Sequence, residues 1–126
     1  MAAPTVTSAD QQLINKFARL HQNFTQIKEE IKELSNELLN INEAADEILL
    51  LDDEDSQKIP FRIGQTFVHF DSDSLNTKLE QMKEATEKSI EELKAQNTSS
   101  QSEMENLKRT LYAKFGDRIN LESDKD

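Results

Sequence analysis

The 126-residue chain contains no cysteine and no tryptophan. Without cysteine it has neither a disulfide framework nor a thiolate metal site, and its composition is compatible with a reducing compartment. Glycine and proline are nearly missing as well, with two of each, at Gly64, Gly116, Pro4 and Pro60. Two long stretches, Thr5 to Ile59 and Gln65 to Phe115, therefore carry no helix breaker. No window is apolar for long enough to span a bilayer. The opening "MAAPTVTSAD" lacks the basic region and apolar run of a secretory signal. The expected location is the cytoplasm, with the nucleus as a second compartment.

Apolar residues make up 35% of the chain and charged residues 32%. That is thin for a globular core and suits long solvated helices. The net charge of −10 argues against nucleic acid and anionic membrane as partners, since both repel an acidic surface.

What the chain does have is a heptad pattern. Phe17, Phe24, Ile31, Leu38 and Ala45 fall at position a, and Leu13, Leu20, Ile27, Leu34, Ile41 and Ile48 at position d. A stripe this narrow and this long is a coiled-coil seam. "SADQ", Ser8 to Gln11, has capping-box spacing and is expected to start a helix over about residues 10–51. A second seam runs Leu75, Leu79, Met82, Thr86, Ile90, Leu93, Asn97, Ser100, Met104, Leu107, Leu111. Its step from Thr86 to Ile90 is four where three is due, a stutter. Asn97 and Ser100 are polar at core positions. This helix is expected over about residues 75–115, capped by Ser74 or by Thr77, with Lys114 and Gly116 at its end. Equal lengths predict an antiparallel pair, with Leu13 near Leu111 and Ile48 near Leu79. Both chain ends then meet at one tip.

The connector begins with the polar "DDEDSQ". It continues as "KIPFRIGQTFVHF", Lys58 to Phe70, which reads as a β-hairpin. Gly64-Gln65 suits a two-residue type II′ turn with glycine first. That turn pairs Ile63 with Thr66, Phe61 with Val68 and Ile59 with Phe70. One face is then almost wholly apolar, and the other carries Pro60, Arg62, Phe67 and His69. An isolated hairpin is marginal in water and has two open edges. It is expected to complete a sheet with other chains, so oligomerisation is implied. The fold class is mainly α: a long antiparallel two-helix coiled coil with a β-hairpin at its connecting end.

No residue constellation points to catalysis. His21 and His69 are far apart, and the many carboxylates lie on exposed helix faces without a pocket. "DDED", Asp52 to Asp55, lacks the alternating spacing and central glycine of a calcium loop and reads as a solvated loop. "NFT" at Asn23 and "NTS" at Asn97 match the glycosylation pattern, but both sit in helices of a chain without a secretory signal. No enzyme activity, cofactor or metal is expected.

Three stretches, "DQQLINKFARL" from Asp10, "IPFRIGQTFV" from Ile59 and "LYAKFGDRINLE" from Leu111, resemble the prefoldin beta-type subunit family. The resemblance covers nearly the whole chain and implies a single domain over 1–126, with a C-terminal tail over 117–126. The middle of the second helix, "KAQNTSSQS", is more polar than the family pattern. The resemblance implies a hexamer of two alpha-type and four beta-type subunits. Their hairpins build a double β-barrel body from which six coiled coils extend. The tips hold unfolded actin, tubulin and other chains without ATP and pass them to the cytosolic chaperonin. In this sequence the barrel contribution is Ile59, Phe61, Ile63, Gly64, Phe67, Val68 and Phe70. The client-holding tip is Leu13, Ile14, Phe17, Leu111, Tyr112, Phe115, Ile119 and Leu121.

Two readings of the tip stay open. Its apolar residues either close the coil and dock the C-terminal segment, or splay and meet a client. Leu13, Phe17 and Leu111 lie on the seam and favour the first, whereas Ile14, Ile119 and Leu121 lie off it or beyond the helix. An alternative for the whole chain is a structural coiled-coil tether in a cytoskeletal or transport complex, which leaves the amphipathic hairpin without a purpose.

Overall fold

The structure, a computed structural model, describes residues 5–51, 54–116, 119 and 121. In chain order it contains helix α1 (Ser8–Leu49), a 3-10 turn (Asp55–Gln57), strands β1 (Ile59–Ile63) and β2 (Thr66–Phe70), and helix α2 (Ser72–Phe115). The helices have 42 and 44 residues. Heptad periodicity and the lack of internal breakers sustain both over that length. Every seam residue named above is buried or half-buried, including Thr86 and Ile90 on either side of the stutter and the polar Asn97 and Ser100.

The helix starts differ from expectation. The capping box of α1 lies one residue earlier than "SADQ". The Thr7 hydroxyl accepts from the Asp10 amide at 3.1 Å, and the Asp10 carboxylate accepts from the Thr7 amide at 3.0 Å. A carboxylate is a stronger reciprocal acceptor than the Gln11 amide, which instead donates to Asn15 one turn on. Neither Ser74 nor Thr77 caps α2. Asp71 does, accepting from the Ser74 amide at 2.7 Å, while the Thr77 hydroxyl donates back to the Asp73 carbonyl inside the helix. Helix α1 also stops at Leu49, two residues short of expectation. The amides of Leu50 and Leu51 reach back three residues, to Glu47 and Ile48, and tighten the last turn. Helix α2 ends as expected at Gly116, whose φ of +58° favours glycine.

The hairpin has the expected antiparallel register, Ile59 with Phe70, Phe61 with Val68 and Ile63 with Thr66. Gly64 has φ +62°, and no non-glycine residue among those described has positive φ. A type II′ turn requires that of its first central residue only. Arg62 Nε donates to the Gly64 carbonyl at 2.8 Å and ties the turn to β1. In "DDED", Glu54 is in a turn and Asp55 opens the 3-10 turn; Asp52 and Asp53 lie outside the described residues.

The chain forms two compact units, Met1–Ile31 with Glu92–Asp126, and Lys32–Glu91. The first has a core of Phe17, Met104, Leu111, Phe115 and Leu121, with Leu13, Ile14, Leu20, Phe24, Leu107, Tyr112 and Ile119 packed against it. The second has a core of Ile41, Ile48, Leu75 and Leu79, joined by Ala44, Ala45, Met82 and the hairpin residues Ile59, Phe61 and Phe70. Leu13 and Leu111 share one cluster and Ile48 and Leu79 the other. Within each unit the helices thus pair as an antiparallel hairpin requires.

Candidate functional site

In the first unit, the start of α1 and the end of α2 carry the expected tip residues. All eight gather in one cluster. Phe17, Leu111, Phe115 and Leu121 are buried, whereas Leu13, Ile14, Tyr112 and Ile119 are half-buried. Leu121, at 4% exposure, is packed as deeply as the seam. Its amide donates to the Tyr112 hydroxyl at 3.3 Å, and the Ile119 amide donates to the Gly116 carbonyl at 3.4 Å. Seam residues and segment residues therefore pack on one another.

Polar groups frame the cluster. The Asp10 carboxylate takes a hydrogen-bonded ion pair from Lys114, joining the first turn of α1 to the last turn of α2. That Lys114 bond, helped by the Thr7 amide, holds the Asp10 carboxyl below its ordinary value of 3.8. Lys16 pairs with Glu103 at 2.9 Å, but the two side chains are 48% and 46% exposed. Such a surface pair contributes at most about 1 kcal/mol. Each fully buried Leu or Phe contributes about 1.5–3 kcal/mol. Packing therefore holds this unit together. Further in, Asn97 Nδ2 donates to the Phe24 carbonyl at 3.2 Å, while its buried Oδ1 has no partner among the described residues.

In the second unit, the hairpin is only partly covered. Ile59, Phe61 and Phe70, at its root, pack on the helix core. Phe61 and Phe70 meet edge to face, with centroids 6.1 Å apart, and Lys78 lies over the Phe61 ring. Ile63, beside the turn on the same face, and Val68, paired with Phe61, stay exposed, and so does Phe67 at 62% on the other face. The expected apolar face is thus divided: Ile59, Phe61 and Phe70 serve this chain's core, whereas Ile63 and Val68 are left exposed. Leu49, Leu50 and Leu51 are also exposed. Sequence reasoning missed this patch because it carried the helix to Leu51. The signal was there in three leucines following Ile48, the last seam position. No cluster of three metal-ligating side chains occurs among the described residues.

The prefoldin subunit family model matches residues 11–118. A relative from Caenorhabditis elegans named probable prefoldin subunit 4 is 53% identical over 119 residues, covering 94% of each chain. Prefoldin subunit 4 of Homo sapiens is 42% identical over 119 residues, covering 94% of this chain and 88% of its own. The crystal structure of the prefoldin beta subunit from Thermococcus strain KS-1 superposes with a TM-score of 0.74 at 17% identity, covering 89% of this chain and 96% of that one. That likeness establishes the shared fold, two long helices joined by a two-stranded antiparallel sheet. The sequence matches decide between tether and co-chaperone subunit. They also decide against an enzyme, because prefoldin subunits are chaperone components that assemble with one another into a hexamer. The chain, from its heptad seams to its Gly64 hairpin, belongs to the prefoldin subunit family.

Proposed function

We propose that the chain enters the hexamer through its hairpin and holds non-native proteins at the end where the start of α1 meets the end of α2. The observation that carries this is the apolar cluster of the first unit, with Leu13, Ile14, Tyr112 and Ile119 left half-buried beside the buried Phe17, Leu111, Phe115 and Leu121. Unfolded proteins expose apolar side chains, and burying these is favourable at roughly 25 cal/mol per Å². Contacts from several tips add by multivalency and still release without ATP. Actin and tubulin are the proposed clients, the cytosolic chaperonin the acceptor, and the cytoplasm the main compartment, with the nucleus second. The exposed Ile63, Phe67 and Val68 would supply the hairpin's part of the hexamer body.

The test is a hexamer carrying the triple tip variant Leu13→Ser, Ile14→Ser and Ile119→Ser. It should assemble with normal native mass and lose most of its suppression of aggregation by guanidine-denatured actin. A variant hexamer as protective as the parent would end the reading.

A further inference from the structure

From Lys58 to Phe70 the chain has no Asp and no Glu, although 25 of its 126 residues are acidic and its net charge is −10. The formally charged side chains of this stretch, Lys58 and Arg62, are both cationic and both exposed. Neither pairs with a carboxylate among the described residues. Arg62 is nevertheless held in place, because its Nε donates to the Gly64 carbonyl at 2.8 Å. The donors on its two terminal nitrogens meet no acceptor among the described residues. A side chain fixed by its own turn loses less freedom when it binds. Directly across the sheet from Arg62 stands Phe67, 62% exposed. Strand alternation places both, with Pro60 and His69, on the face turned away from Ile59, Phe61 and Phe70.

We infer that Arg62 receives a carboxylate from a neighbouring subunit of the hexamer, and that this pair selects which subunit lies against the Arg62 and Phe67 face. The inference deepens the proposed function and rests on the hairpin entering the hexamer. Charge complementarity fixes the occupant. A neighbour that covers Phe67 also strips water from the guanidinium beside it, and a desolvated cation without a partner is costly. An acidic neighbour removes that cost, whereas a neutral or basic one leaves it in place. The planar fork of an arginine matches a carboxylate in shape as well as in charge. A second copy of this chain does not meet the requirement with its own hairpin, which presents Lys58 and Arg62 and no acid. Apolar contact is non-directional and accepts related subunits alike. A fixed charge rejects those that lack its complement, and so sets the order of neighbours.

The experiment assembles the hexamer from purified subunits, with the altered chain competing against the unaltered one. Arg62→Glu should lower incorporation by about 100-fold, the upper range for a charged hydrogen bond. Lys88→Glu, exposed on α2, makes the same change of charge outside the hairpin and should incorporate normally. Arg62→Glu also removes the bond to Gly64, so rescue separates pairing from a damaged turn. Each acidic residue in the partners' hairpins is reversed to Lys in turn, and one reversal should restore incorporation of Arg62→Glu. Arg62→Lys locates the same acid independently. A water-soluble carbodiimide should couple the new amine to a carboxylate of that subunit, read by mass spectrometry. Normal incorporation of Arg62→Glu, or a loss that no reversal rescues, overturns the inference. So does coupling confined to the chain itself. If Phe67→Asp or Val68→Asp still blocks assembly in that case, the hairpin's entry into the hexamer stands without the pair. If both of those also assemble, the two readings fall together.

Discussion

Asp10 and Lys114, 104 residues apart in sequence, form an ion pair that joins the first turn of α1 to the last turn of α2. The same carboxylate closes the capping box with Thr7. One side chain thus starts a helix and fastens the ends of two helices together. The ammonium also lies 5.5 Å from the centroid of the Phe115 ring, so the pair rests on the apolar cluster it borders.

This pair makes the first unit sensitive to acid. The Asp10 carboxyl lies below its ordinary value of 3.8, chiefly through the Lys114 hydrogen bond. A carboxyl lowered by folding stabilises the folded state fully above its unfolded value, and that contribution is lost as pH falls through the folded value. Amide exchange of residues 8–20 should therefore be slow and flat with pH near neutrality, after correction for intrinsic rates, and should accelerate below about pH 4. Asp10→Asn should exchange faster at neutral pH and approach the parent rate in acid. A constant ratio between the two down to pH 2 would show that the carboxylate charge has no part in it.

Asn97 yields a prediction of opposite sign. It is 7% exposed and spends one amide proton on the Phe24 carbonyl, and its Oδ1 is buried without a partner among the described residues. Leaving a buried acceptor unpaired costs about 1–3 kcal/mol. Asn97→Leu removes that acceptor and continues the apolar seam, so thermal melting should show stabilisation by about 1–2 kcal/mol. The Asn also favours one register, since only that register brings its amide to the Phe24 carbonyl. Cysteine pairs placed across the helices in Asn97→Leu should cross-link in more than one register. A lowered melting temperature would mean that a bound water satisfies Oδ1 in the parent.

The heptads of both helices were legible because side-chain periodicity depends only on position along the chain. That held even through Thr86, Asn97 and Ser100, where identity argued against burial. The hairpin register was legible because Gly64 has the backbone freedom the turn needs and the turn sets every pair after it. The caps were harder. Thr7, Ser8, Asp71 and Ser74 all carry the oxygen a cap requires, and spacing alone does not say which one reaches an amide. The half-covered hairpin face and the docking of Leu121 under Tyr112 depend on packing between elements, which alternation along a strand or apolar content in a tail does not encode.

Gly64 isolates backbone strain from steric clash. A Cβ at this position meets nothing within 4 Å, yet φ is +62°. Gly64→Ala should therefore cost only the left-handed penalty, about 1–2 kcal/mol. Gly64→Asn should cost less, because Asn tolerates this region. Hexamer yield on mixing with partner subunits should fall in the order Gly, Asn, Ala. Equal yields for Asn and Ala would mean that the turn relaxes to another type in the assembly.

The two halves of the hairpin should respond differently to charge. Phe61 packs on the helix core and beneath Lys78, whereas Val68, its partner across the sheet, is exposed. Phe61→Asp should disrupt both the second unit and assembly. Val68→Asp and Phe67→Asp should leave the helices of the isolated chain intact by circular dichroism. In the hexamer each would bury an unpaired carboxylate, at a cost of several kcal/mol. A loss of about 3 kcal/mol weakens association by more than 100-fold. Native mass should then show free subunits wherever the unaltered chain gives a hexamer. If Val68→Asp assembles while Phe67→Asp does not, the contact belongs to the face carrying Pro60, Arg62 and His69, and the hairpin meets its neighbours with the side turned away from its own helices.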